Sequence, residues 1–286
     1  MNNSGLEKPI FIIAGVRSGT TMLGDILSKH EDVAYWIEPK YIWQYRKPGQ
    51  KTDLRSAEEA TSSVSEYIRR KFAEYTVALG KERFLEKTPS NVFRVAFINE
   101  IFPDARFIQL IRSGVSSALS AEKKWLAKPE RSALKRRLTS GEIPIVDLPF
   151  YFFTIVKEVV WKYLSPQQGS VWGQKFEGIQ EYRAAHSVIE TCAKQWSEGL
   201  RASQSELDKI DPQRIYTIKY EEILKQPDVV MKQLMEFMEV QHSARVVEYA
   251  QAIVRATGKA YTEEEQEKIK LIQPIIAEQM RKYNYV

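Results

Sequence analysis

A short apolar run, Ile10-Phe11-Ile12-Ile13-Ala14, passes directly into Gly15-Val16-Arg17-Ser18-Gly19-Thr20-Thr21-Met22. Five apolar residues stopped by glycine read as a buried strand, since a buried helix needs a longer run. A helix is expected to start near residues 18–20. Such a strand–turn–helix junction constrains both fold and chemistry. The first backbone N–H groups of a helix have no partner within it and carry the positive end of its dipole, so they attract anions. Gly15 and Gly19 permit the turn and a close approach to the backbone. The phosphate loop of nucleoside triphosphatases reads G-x-x-x-x-G-K-[ST], with Lys on the β/γ-phosphates and the hydroxyl on Mg²⁺. Here only three residues separate Gly15 from Gly19, Thr20 stands where that Lys belongs, and the cation is Arg17 inside the loop. The loop therefore suits a phosphate-like anion and not Mg-ATP.

The pattern beyond the loop alternates. Strands are expected at 10–14, 33–36, 83–85, 106–111 and 214–219. Helices are expected at 20–29, within 55–79 (Val64, Ile68, Phe72 and Tyr75 at helical spacing), from a cap at Ser90 or Asn91 to 102, and at 113–125. The second half reads as mostly helical, at 148–164, 184–207, 227–238 and 263–283. Alternation of this kind implies an α/β fold, a central parallel sheet flanked by helices on both faces. With no repeat and no convincing linker, residues 1–286 read as one domain. The chain carries one cysteine, Cys192, and no apolar run near the length that spans a bilayer. With its polar first residues, this points to a soluble, cytoplasmic protein without a membrane span. A net charge of +5 fits an anionic ligand without requiring one. The densest basic stretch, from Lys123 to Arg137, reads as a solvated face and not as a nucleic-acid surface.

Open parallel sheets bind ligands at the carboxyl ends of their strands. Four features fall there: the loop 15–21, then Glu38, Lys87 and Arg112, each directly after a strand, with Ser120 two turns along the next helix. Cations, hydroxyls and one carboxylate would share a crevice. No H-x-x-x-H, C-x-x-C or acidic cluster calls for a metal.

Taken together these segments resemble the sulfotransferases that use 3′-phosphoadenosine-5′-phosphosulfate (PAPS) and release 3′,5′-bisphosphoadenosine (PAP). Gly15–Thr21 is similar to the family's 5′-phosphosulfate loop, with Arg17 where cytosolic members usually carry Lys. Phe107-Ile108-Gln109-Leu110-Ile111-Arg112 followed by Ser120 resembles the 3′-phosphate site. Glu86-Lys87-Thr88-Pro89, residues 102–108 and Ile218-Lys219-Tyr220-Glu221-Glu222-Ile223-Leu224 look like further family segments. The resemblance implies a P-loop-NTPase-like sulfotransferase fold, closer to the bacterial, protein-tyrosine and Golgi-type branch than to the branch with a histidine base. It also implies roles. Gly15, Arg17, Ser18, Gly19, Thr20, Thr21 and Met22 hold the 5′ end, and Arg112 and Ser120 hold the 3′-phosphate. Lys87 touches the bridging oxygen, and Lys259 belongs to a late segment that closes over the nucleotide. Glu38 serves as general base, ahead of His30, His186 and His242. Lys87 could equally pair with Glu86 or another carboxylate. Trp172, Tyr182, Trp196 and Tyr220 are candidate adenine stackers that core packing explains as well.

The implied reaction is metal-independent, in-line transfer of a sulfuryl group from PAPS to an acceptor hydroxyl or amine of unknown class. Two other readings are a P-loop kinase or NTPase, disfavoured by the missing Lys, and a non-catalytic binder of anionic polymers using the basic stretch. The acceptor walls are expected within 36–70 and 125–173.

Overall fold

A computed structural model describes residues 6–47, 51–127, 171–254 and 260–285. The chain divides into two compact units, Met1–Glu122 with Gly173–Val286, and Lys123–Trp172. Most of the second unit lies outside the described residues, including the expected helix 148–164 and the basic residues 128–137. Lys259 also lies outside them.

Five described strands form one parallel sheet in the order β2-β3-β1-β4-β5. They are β1 (Ile10–Ile13), β2 (Val33–Ile37), β3 (Arg83–Lys87), β4 (Arg106–Ile111) and β5 (Ile215–Lys219). The register aligns Ile37 with Lys87, Ile13 with Gln109 and Ile111 with Lys219, so the carboxyl ends of the strands lie along one edge. The expected parallel α/β architecture is therefore present.

Side chains alternate across a strand, and here the alternation sorts two chemically different cores. Ile10 and Ile12 of β1 pack with Leu23, Ile26 and Leu27 of α1 (Thr20–Leu27). The same aliphatic layer takes Met231, Leu234 and Met235 of α9 (Pro227–Phe237) and Val246 and Ala250 of α10 (Ala244–Ile253). Phe11, between Ile10 and Ile12, points the other way into an aromatic layer. Its ring centroid lies 5.3 Å from Phe102, 5.9 Å from Trp43 and 6.4 Å from Phe72. That layer is carried by α2 (Lys40–Trp43), α3 (Ser62–Ala78) and α4 (Val95–Ile101). Helices α5 (Gly114–Leu126), α6 (Ile179–Ala185), α7 (Val188–Leu207), α8 (Tyr220–Lys225) and α11 (Glu263–Lys282) complete the described set.

Three local expectations are corrected. Neither Ser90 nor Asn91 caps a helix. Pro89–Phe93 is a 3₁₀ turn and α4 begins after Arg94. Both side chains are engaged elsewhere: Ser90 Oγ donates to Asp53 Oδ2 at 2.7 Å and Asn91 Nδ2 to Glu86 Oε2 at 2.6 Å. The expected helix 184–207 is two helices, because Ser187 accepts from the Glu190 N–H while Glu190 accepts from Ser187, a reciprocal cap that starts α7 afresh. Helix α10 was not expected at all.

Candidate active site

The sequence puts a glycine where the chain must enter α1. Gly19 has φ of 90°, and a Cβ there would come within 2.3 Å of the Tyr220 ring, so a side chain is barred twice over. Arg17 also adopts a left-handed conformation, with φ of 63°. Two such residues in three turn the chain sharply. They deliver α1 with its N-terminus uncapped by any side chain and without an acidic residue in its first turn. An uncapped, electropositive helix end beside buried Ser18 and Thr20 is suited to an anion. Thr21 is exposed there, whereas the Met22 side chain packs against the aliphatic core, which leaves only its backbone for a ligand.

Two clusters flank the loop. On one side Arg17 Nε donates to Ser120 Oγ at 3.0 Å, and Arg112 Nη1 donates to the Arg17 carbonyl at 2.8 Å. The structure thus brings Arg17, Arg112 and Ser120 together, and Arg17 leans towards the other two. The Arg112 guanidinium lies 4.6 Å from the Tyr220 ring centroid, and its own carbonyl accepts from Trp196 Nε1 at 3.1 Å. Tyr220 and Trp196 therefore support the arginine. Tyr182 stacks instead on His186, centroids 3.9 Å apart.

On the other side stands Lys87, 2 % exposed. Its Nζ donates to Glu38 Oε1 at 3.0 Å and to Thr21 Oγ1 at 3.3 Å. The register of β2 and β3 explains the meeting, since Ile37 lies beside Lys87 and the Glu38 N–H donates to the Lys87 carbonyl at 2.9 Å. The carboxylate that pairs with Lys87 is Glu38, not Glu86. Glu86 points to the opposite face of β3, as strand alternation requires.

Lys40 is the member that sequence reasoning missed. Pro39 has φ of −70° and ψ of 61°, and the Lys40 N–H donates to the Glu38 carbonyl at 2.6 Å. This is an inverse γ-turn. It folds Lys40 back so that Nζ lies 3.2 Å from Glu38 Oε2. The Glu-Pro-Lys order was a usable signal, because proline fixes the required φ. Glu38 itself sits at φ of 52°, an uncommon conformation for a residue with a side chain. Burial pushes its carboxyl up, but Lys40 and Lys87 outweigh burial and hold it at about 2.

His30 is buried in the α1–β2 turn. Its Nδ1 accepts from the Asp32 N–H at 3.1 Å and Nε2 faces the Gln241 carbonyl at 2.7 Å, so both ring nitrogens are committed to packing. Among the described residues, no group of three or more His, Cys, Asp or Glu side chains is placed to hold a metal ion.

A model of the sulfotransferase family matches residues 9–143 and 168–244. The chain belongs to the sulfotransferase family. Similar proteins include the protein-tyrosine sulfotransferase of Drosophila melanogaster, 22% identical over 97% of this chain and 47% of that protein. Another is protein-tyrosine sulfotransferase 2 of Gallus gallus, 20% identical over 97% of this chain and 63% of that protein. The chain thus spans about half to two thirds of these curated relatives. Among solved structures, sulfotransferase STF9 from Mycobacterium avium superposes with a TM-score of 0.55 at 14% identity, over 96% of this chain and 76% of that one. The sulfotransferase domain from the curacin biosynthetic pathway gives 0.51 at 13% identity, over 94% of this chain and 99% of that domain. Both are likenesses of fold. Among the described residues no helix is long and apolar enough to cross a membrane.

Proposed function

We propose that the chain is a PAPS-dependent sulfotransferase that transfers a sulfuryl group to an acceptor hydroxyl, with Glu38 as general base. One observation carries the reading: Lys87 Nζ joins Thr21 of the anion loop to Glu38 in a single crevice. The residues fit the donor's charge. An uncapped helix end beside Lys87 offers one anion site, and Arg112 with Ser120, tied to Arg17, offers a second. PAPS, when bound, supplies the sulfuryl group and a bisphosphate leaving group. Gly15 and Arg17 to Met22 hold its 5′ end and Arg112 and Ser120 its 3′-phosphate. The cations supply the charge stabilisation, so this reading asks for no metal.

Glu38 accepts the acceptor's proton. A carboxylate held near a pKa of about 2 is fully ionised at neutral pH but a weak acceptor. Drawing Lys87 towards an anionic donor relieves part of that hold and strengthens the base where and when it is needed. Reading residues 1–286 as one sulfotransferase domain belongs to the proposal, supported by a family match on both sides of residue 150. So does a reducing, cytoplasmic setting, which fits a sequence whose single cysteine, Cys192, allows no intrachain disulfide. The acceptor is a hydroxyl-bearing compound, with tyrosine peptides first in line because of the named relatives. Lys259 remains a proposed donor contact through the resemblance. The test is transfer of labelled sulfate from PAPS across an acceptor library, with PAP binding measured alongside. Absence of PAP binding would sink the reading.

A further inference from the structure

We propose that Gln174 is a positioning residue for the donor loop, its side-chain amide fixing the Val16 N–H and so the shape of the anion-binding turn. This rests on the function proposed above. Gln174 is fully buried, 0 % exposed. Its Oε1 accepts from the Val16 N–H at 2.8 Å, and its Nε2 donates to the Gln195 carbonyl of α7 at 2.8 Å. Gln195 Nε2 returns a bond to the Gln174 carbonyl at 2.7 Å. The amide has one working orientation. Reversed, its NH₂ would face the Val16 N–H and its oxygen the Gln195 carbonyl, leaving buried polar groups unpaired.

Space around the amide is kept clear by two glycines. A Cβ on Gly199 would lie 2.5 Å from Gln174 Nε2, and one on Gly15 3.1 Å from it. The loop's own first glycine thus makes room for the residue that holds the loop. A glutamine that merely filled the core would need no partner on the loop, yet this one reaches Val16 across 158 positions of sequence.

The consequence is specific. The Val16 N–H is removed from the set available to an anion, and the chain is pinned immediately before the left-handed Arg17. Arg17 holds that uncommon conformation only while its surroundings enforce it. Pinned from one side by Gln174 and from the other by Arg112 on its carbonyl, the turn is formed before the donor arrives. Binding then avoids the cost of ordering it.

The experiment measures PAP binding by calorimetry on the full chain, together with hydrogen exchange at the Val16 amide and the thermal midpoint. Gln174→Met keeps the bulk and loses both bonds. It is expected to weaken PAP binding about tenfold and to strip protection from Val16. Gln174→Glu keeps an acceptor for Val16 and is expected to fall between wild type and Met. Should Gln174→Met fail to fold, Gly199→Ala displaces the amide by contact and is expected to give the same paired changes. A folded Gln174→Met with wild-type PAP affinity, or with Val16 still protected, overturns the proposal. Wild-type protein that binds no PAP overturns the donor reading instead, and Val16 protection in wild type against Gln174→Met still reports the bond itself.

Discussion

The two sides of β3 carry neighbouring residues with opposite roles. On one side Lys87 faces the loop and Glu38, and the crevice carboxylate is charged, cation-paired and reachable. On the other, Glu86 is fully buried, accepting from Thr88 Oγ1, from Asn91 Nδ2 at 2.6 Å and from Trp43 Nε1 at 3.2 Å. Burial pushes the Glu86 carboxyl up, against those donors and the nearby Arg94. Lysines hold Glu38 down. Two carboxylates at adjacent strand ends are thus separated by environment, one paired with lysines in the crevice and one enclosed by hydrogen-bond donors in the core. Near this edge of the sheet, charge by itself says little about role.

The sharpest way to break this contrast is at Glu38. Glu38→Gln removes the proposed proton acceptor and keeps the shape. It is expected to lower turnover by about 10²–10⁴-fold, the usual range for a general base, with PAP affinity retained. Near-wild-type sulfate transfer would move the base elsewhere. Next in size is Arg112→Ala, which strips a guanidinium from the loop carbonyl and from the proposed phosphate. PAP affinity is expected to fall by about tenfold or more, since charge-assisted contacts are the strong ones. A dissociation constant equal to wild type in titration calorimetry would unseat Arg112.

Much of this was legible in the sequence because it was local. The apolar run with its glycines gave β1 and the loop, and strand ends placed Arg112 and Ser120 beside the loop in one crevice, whereas the Arg17–Ser120 hydrogen bond was not anticipated. What was not legible depended on distant chain. Gln174 reaches Val16 from 158 residues away, and Trp196 reaches Arg112 from 84. No local pattern announces either. The cap assigned to Ser90 or Asn91 failed for a related reason: polar side chains that favour caps also serve carboxylates brought near by the fold, and Asp53 and Glu86 claimed them first.

Glu86 offers the structural counterpart to the Glu38 variant. In Glu86→Gln, the new NH₂ meets the Asn91 Nδ2 donor in one orientation and the Trp43 N–H in the other, where only the Thr88 hydroxyl can turn to accept. If the retained oxygen serves Trp43 and Thr88, the NH₂ faces Asn91 Nδ2, and Asn91 is held in place by Arg94 Nε on its Oδ1 at 2.9 Å. The variant is expected to lose about 1–3 kcal/mol of stability, the cost of an unpaired buried donor, with PAP affinity unchanged. Thermal melts and PAP titration separate the two effects. Unaltered stability, or a large loss of PAP binding, would erase the division between the faces of β3.

The smallest effect sought belongs to Lys40, and it concerns acid. Glu38 titrates well below its ordinary value of 4.5 in the folded chain. The stability it contributes is therefore present above about 4.5 and is lost as pH falls towards about 2. Lys40→Met removes one of the two cations responsible, so the folded value rises and less is lost over the same window. Measured by denaturant unfolding from pH 5 downward, wild type and Lys40→Met should converge, and Glu38→Gln should lack this slope altogether. Glu86 cannot imitate the effect, because a raised carboxyl contributes stability that weakens as pH rises, the opposite sign. Lys40 is half-exposed, so salt should shrink the difference. Parallel acid slopes in wild type and Lys40→Met would mean that Lys87 alone holds Glu38, and the γ-turn at Pro39 would then serve the backbone and not the charge.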